Sequence, residues 1–97
     1  MLERDLVKKI IDYLRSLKCV FAWKEHGGMY GTSGVPDIIC CRNGRFVAFE
    51  VKVKPNKPTR LQEETIRKIQ EAGGIAEVVY SLDEAKRIME EHGNDYA

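Results

Sequence analysis

The sequence has almost no excess charge of either sign: 16 Lys plus Arg stand against 15 Asp plus Glu, a formal net charge of +1. That excludes a strongly basic arm or an acidic tail, so attraction to a polyanion must come from local charge placement. Cysteine is scarce and odd in number, three in 97 residues, and Cys40 and Cys41 are adjacent. This excludes a disulfide framework, offers no zinc-ligand spacing and fits a reducing intracellular setting. No apolar run approaches the roughly 20 residues that a bilayer span requires. Met1-Leu2-Glu3-Arg4-Asp5 also lacks the charged-then-apolar layout of a secretory signal, so no membrane association is expected. Repeats and low-complexity stretches are absent. What is present, 43% hydrophobic and 32% charged residues, fits a single domain over 1–97 with a frayed tail at 92–97. A chain of this length buries roughly 60 to 65% of its unfolded surface. It has little surface for a deep cleft, and a large substrate would be shared with a partner chain.

Apolar residues from Leu2 to about Lys18 (Leu2, Leu6, Val7, Ile10, Ile11, Leu14, Leu17) recur at helical spacing and predict an amphipathic helix. Cys19 to Trp23 reads as a strand, followed by a loop punctuated by Gly27, Gly28, Gly31 and Gly34. Asp37 to Cys41 and Arg45 to Val53 are β-rich runs joined at Asn43-Gly44, the strongest short-range signal for a two-residue hairpin. Pro55 and Pro58 end the second run. Thr59 and Gln62 have capping-box spacing for a helix closing at Gly73-Gly74, and Ile75 to Tyr80 is a further strand. Ser81 with Glu84 opens a last helix to about His92. The expected fold class is α/β in the order αβββαβα, a mixed central sheet flanked by helices.

With Asn43 and Gly44 in the turn, Arg42 faces Arg45, and counting back places Asp37 directly opposite Glu50. Opposed residues share a face with Cβ atoms about 4.5 to 5.5 Å apart, and alternation puts Lys52 on the same face. Two carboxylates about 5 Å apart at an effective dielectric of about 20 repel by roughly 3 kcal/mol, so compensation is required. A divalent metal bound by hard oxygens would supply it, and Lys52 could supply part. The alternative is that Asp37 is a turn residue after Pro36 and Glu50 pairs with Lys52 on a solvated face. Projection of the first helix puts Glu3 in the middle of the apolar arc, whereas Arg4, Asp5, Lys8, Lys9, Asp12 and Arg15 fall outside it. Glu3 either serves a site or simply favours the helix dipole. Gln62 likewise lies on the inner face of its helix between Ile66 and Ile69, and it is also the capping-box partner of Thr59.

Gly34-Val35-Pro36-Asp37, Glu50-Val51-Lys52 and Gln62 together resemble the PD-(D/E)XK nuclease signature. The chain resembles in particular the stand-alone VRR-NUC domains of phage and bacterial origin, over nearly its whole length. The resemblance implies a restriction-endonuclease-like core and metal-dependent hydrolysis of DNA phosphodiesters, with no organic cofactor, in the cytoplasm of a bacterial or phage-infected cell. On this chain it implies that Asp37, Glu50 and the Val51 carbonyl bind Mg²⁺ or Mn²⁺. The metal would polarise the phosphate and activate a water. Lys52 would orient that water or stabilise the pentacoordinate phosphate. Glu3 would hold a metal-bound water or a second cation, and Gln62 would position the site or the scissile phosphate.

Lys52, Lys54, Lys57 and Arg60 form a basic run near the acids, suited to phosphate contacts that carry no sequence information. Read by itself, it is also an ordinary lysine-rich turn. Thr59 and the amides of its helix start add a phosphate contact, and Lys24, His26, Tyr30, Thr32 and Ser33 are placed along the DNA path. His26 has no ligand partner at recognisable spacing and reads as a polar loop residue. Two symmetric cuts call for a homodimer. The resemblance implies one that cleaves branched DNA such as four-way (Holliday) junctions. Two alternatives stand beside it: a nicking or restriction-type enzyme on linear duplex, and a non-catalytic DNA-binding module of the same fold.

Overall fold

The helical apolar spacing near the start of the chain folds as α1, Glu3–Arg15, in a computed structural model that describes residues 1–25 and 34–92. The helix stops short of Lys18. Ser16 Oγ donates to the Tyr13 carbonyl at 2.6 Å, and Cys19 at φ 59° turns the chain into β1, Val20–Lys24. The hairpin strands are β2, Ile38–Arg42, and β3, Arg45–Val51. Next come α2, Arg60–Glu71, β4, Ile75–Val79, and α3, Leu82–Glu91, so the order is αβββαβα.

The strands form one four-stranded sheet in the order β1-β2-β3-β4. β1, β2 and β3 pair antiparallel, and β4 joins β3 in parallel through the α2 crossover, making the sheet mixed. Asn43 and Gly44, at φ 50° and 85°, form the two-residue turn that only such backbone-tolerant residues accept readily. The register therefore runs from Arg42 opposite Arg45 to Ile38 opposite Phe49.

Helices cover both faces of the sheet. On one, Leu6, Ile10 and Leu14 of α1 and Ile88 of α3 pack on Ile38, Phe49 and Val51. On the other, Ile66 of α2 packs on Ile39, Ala48 and Ala76. Alternation along β3 thus turns Glu50 to the α2 face, between Phe49 and Val51, which point the other way.

Several strand ends differ from expectation by a residue or two, and each difference has a bonding cause. Asp37 lies before β2: its carbonyl accepts from the Glu25 amide at 2.7 Å and its carboxylate is used elsewhere. β3 ends at Val51 and not Val53. The Lys52 amide still donates to the Val79 carbonyl at 3.0 Å, but the Asn56 amide then closes a turn on Val53 at 3.0 Å. β4 ends at Val79 because the Tyr80 amide donates to the Glu84 carboxylate. The Thr59 capping box is complete. That of Ser81 is modified, since Glu84 reaches Tyr80 and only its own amide bonds Ser81 Oγ, at 3.1 Å. Burial pushes the thiol of Cys40 up to about 11, while Cys19 and Cys41 are exposed; all three are free. His26, Tyr30, Thr32, Ser33 and the tail 93–97 lie outside the described residues, among which no helix is long and apolar enough to cross a membrane.

Candidate catalytic site

Glu50 is the one charged side chain fully buried among the described residues, 1% exposed. A carboxylate removed from water should be neutralised or fully bonded. Glu50 is neither when ionised: Oε2 accepts from Gln62 Nε2 at 3.3 Å, while Oε1 has no donor. Its acidity reflects this. Burial, then a carboxyl–carboxyl hydrogen bond with Asp37 and the Asp37 charge, push Glu50 up to about 8; Lys52 opposes the shift and Glu3 adds to it. Protonation removes the charge, and Asp37 beside it favours that form.

Asp37 stands where the hairpin register puts it, one step beyond the Ile38–Phe49 pair and therefore opposite Glu50. Its Oδ2 accepts from the Val51 amide at 2.9 Å, so a side chain closes the end of the β2–β3 ladder where a backbone carbonyl otherwise would. This bond aims the carboxylate at β3. Lys52 lies on the same side, its Nζ 3.7 Å from Glu50 Oε2. That is too far for a good hydrogen bond but close enough to favour the anion. The solvated-face alternative for Glu50 fails, because the pair with Lys52 exists but the carboxylate is buried.

Gln62 fills both roles open to it. Its Oε1 accepts from the Thr59 amide at 2.8 Å, and its backbone N–H donates to Thr59 Oγ1 at 3.2 Å. The remaining amide group, Nε2, is the donor to Glu50. One side chain therefore caps α2 and steadies the buried acid. Glu3 is partly buried at the start of α1, and Asn56 Nδ2 donates to its Oε2 at 3.4 Å. Among the described residues no three His, Cys, Asp or Glu side chains lie close enough to hold a metal ion; Asp37 and Glu50 form a pair that Glu3 influences through its charge.

The donor set nonetheless fits a hard divalent cation. A buried carboxylate oxygen without a donor, next to a second carboxylate and held against its own ionisation, gains from a cation what it lacks from the protein. The paired amide donor and the Lys52 ammonium remain available around it.

The basic residues divide into two groups. Lys54 and Lys57 line a cavity of about 280 Å³ with Pro55, Asn56 and Tyr80, beyond the β3 and β4 ends, and Lys54 Nζ sits 5.8 Å from the Tyr80 ring centroid. Arg60 and Thr59 are exposed at the α2 start. Lys24 is elsewhere: it shares a groove of about 380 Å³ with Arg4, Lys8, Asp12 and Arg15 over a floor of Val7 and Ile11. Helix projection leaves Arg4, Lys8 and Arg15 outside the apolar arc. Only the packing of α1 beside β1 shows that they share a groove with Lys24, a relation no local pattern carries. The two groups lie toward opposite edges of the sheet, and the Lys24 groove is on the side that α1 covers.

Against this geometry, the family model described as archaeal Holliday junction resolvase (Hjc) matches residues 1–78, a span that includes Glu3, Asp37, Glu50, Lys52 and Gln62. A solved structure named "VRR_NUC domain" is 23% identical with a TM-score of 0.77, covering 93% of this chain and 96% of that one. Another, named "VRR_NUC domain protein", is 17% identical with a TM-score of 0.71, covering 94% and 87%. At such identities the likeness is one of fold, and the fold is the PD-(D/E)XK-like core that the sequence resemblance implies. No curated protein matches the chain.

Proposed function

The chain belongs to the archaeal Holliday junction resolvase (Hjc) family of nucleases, and we propose on that premise that it is a divalent-metal-dependent endonuclease cleaving branched DNA, four-way junctions above all, as a homodimer. The observation that carries the reading is the buried Glu50 carboxylate, with one oxygen lacking a donor, set beside Asp37, Lys52 and Gln62. A sheet needing only stability would not bury an acid against another acid.

In this reading Asp37 and Glu50, with the Val51 carbonyl, would hold Mg²⁺ or Mn²⁺, and Glu3 would act on its outer water. When bound, the cation supplies Lewis-acid polarisation of the phosphate and offsets charge that grows in the transition state. The Val51 amide fixes Asp37 and Gln62 fixes Glu50, so both carboxylates are preorganised before substrate arrives. Lys52 places a positive charge beside them, where charge grows on the phosphate oxygens. Lys54, Lys57, Thr59 and Arg60 on one side and Lys24 with Arg4, Lys8 and Arg15 on the other would hold the DNA backbone. Tyr30 and Ser33 belong to the same proposal from sequence alone. Cationic surfaces toward two sheet edges suit DNA arms leaving in more than one direction better than a single straight duplex.

The homodimer follows from the need for two symmetric cuts. A row of apolar residues supports it: Phe21, Cys41 and Phe46 are register neighbours across β1, β2 and β3. Phe21 is 69% and Phe46 42% exposed, on the part of the sheet that no described helix covers. A second copy would cover that row, whose apolar side chains suit the centre of an interface with about 800 Å² buried on each partner.

Purified protein incubated with four-way, flap, nicked and linear DNA in Mg²⁺, Mn²⁺ or EDTA tests the reading. The expected result is metal-dependent cleavage of the four-way substrate. Absence of cleavage on every substrate in both metals would overturn it.

A further inference from the structure

The cavity beside the catalytic acids has a chemistry of its own. It is lined by Lys54, Pro55, Asn56, Lys57 and Tyr80, and its walls are almost entirely apolar. No carboxylate lines it, so it is not a cation site. Two lysines bordering an apolar floor suit a ligand that is both flat and anionic, and a nucleotide has both properties. The volume, about 280 Å³, lies just under the roughly 300 Å³ at which small-molecule pockets begin. It therefore takes one planar ring system and not a base pair.

The cavity is also placed next to the chemistry. Asn56 on its wall donates to Glu3 Oε2 at 3.4 Å. The Lys52 amide bonds the Val79 carbonyl at 3.0 Å, which sets Tyr80 next to Lys52 along the β3–β4 pairing. Tyr80 is partly buried, and the exposed Lys54 side chain places its ammonium over the ring, 5.8 Å from the centroid. An exposed cation over a ring is held weakly, whereas a base stacked on an aromatic ring is held more strongly, so a base can displace Lys54 toward a phosphate.

We propose that this slot receives a single unstacked nucleobase adjacent to the cleaved phosphate, stacked on Tyr80, with Lys54 and Lys57 holding the neighbouring phosphates. The inference rests on the nuclease reading above and deepens it. Bases inside a continuous duplex are unavailable to such a slot, whereas bases at a branch point are already poorly stacked. Selectivity for branched DNA then arises without reading sequence.

The test is a cycle between Tyr80 and the base. Affinity is measured for four-way junctions carrying an abasic site at each position flanking the cut, with Ca²⁺ in place of Mg²⁺. At one position, removing the base should weaken wild-type binding about tenfold. The same removal should have no effect in Tyr80→Ala or in Tyr80→Leu, which keeps the apolar bulk, while Tyr80→Phe behaves as wild type. Equal effects of every abasic site in wild type and both variants would overturn the slot while leaving the nuclease reading intact. Failure of the wild type to bind or cut any junction would overturn both.

Discussion

Gln62 Nε2 donates to Glu50 Oε2 at 3.3 Å while Gln62 Oε1 accepts the Thr59 amide at 2.8 Å, so the cap of α2 and the buried acid of β3 share one side chain. The two functions separate by substitution. Gln62→Glu keeps an acceptor for Thr59 but sets a carboxylate against Glu50. We expect its helix content to match wild type while cleavage falls at least tenfold. Gln62→Ala should lose both, with about 1 kcal/mol of stability lost from the cap. Circular dichroism, urea melts and junction cleavage read the three quantities.

Glu50 makes the metal-free protein sensitive to pH. Its folded value is about 8 against an ordinary 4.5, so folding favours the protonated form. Its contribution is fully present below the unfolded value and is lost as pH rises through the window from 4.5 to about 8. Urea melts in EDTA should show Glu50→Gln gaining on wild type by a few kcal/mol between pH 5 and pH 8. A constant difference across that range would contradict the burial argument. A saturating divalent cation should abolish the wild-type loss, because it binds the ionised form.

Lys52→Ala removes the charge that faces the phosphate in the proposed reaction and should lower cleavage by about 10²- to 10³-fold. Junction affinity in Ca²⁺ should change far less, because Lys54, Lys57 and Arg60 remain. Asp37→Asn keeps an acceptor for the Val51 amide and should leave the melting curve near wild type while cleavage is lost.

Gly34 lies at φ 83°, and a Cβ there would fall 2.8 Å from both Leu61 Cγ and Thr65 Oγ1. Gly34→Ala combines left-handed backbone strain with a clash against α2 and should cost about 2 to 4 kcal/mol. Thermal or urea unfolding measures it.

Phe21→Glu puts a charge at the β1 end of the exposed row shared with Cys41 and Phe46. Light scattering should report a dimer for wild type and a monomer for the variant, with the monomer still folded. An unchanged dimer would place the interface elsewhere.

The site was legible where local rules fix geometry. Asn43-Gly44 dictates a turn, the turn dictates the register, and the register alone places Asp37 opposite Glu50. The inward acid and the double-purpose glutamine were likewise visible from helix projection. Glu50's missing donor was not, because it depends on how far α2 closes over β3. The Tyr80 slot was also hidden: it joins residues more than twenty positions apart whose local pattern is that of an ordinary strand end and a lysine-rich turn. Expected strand limits erred where side chains took over backbone partners, at Asp37 with Val51 and at Tyr80 with Glu84.

Glu25 and Gly34 are each held against a neighbouring element. On one side the Glu25 amide bonds the Asp37 carbonyl at 2.7 Å; on the other, Gly34 is wedged under Leu61 and Thr65. Asp37 thus takes its place from two bonds of its own, its carbonyl to Glu25 and its carboxylate to Val51, so β1, β2 and β3 are locked together at the end of the sheet where the two acids meet.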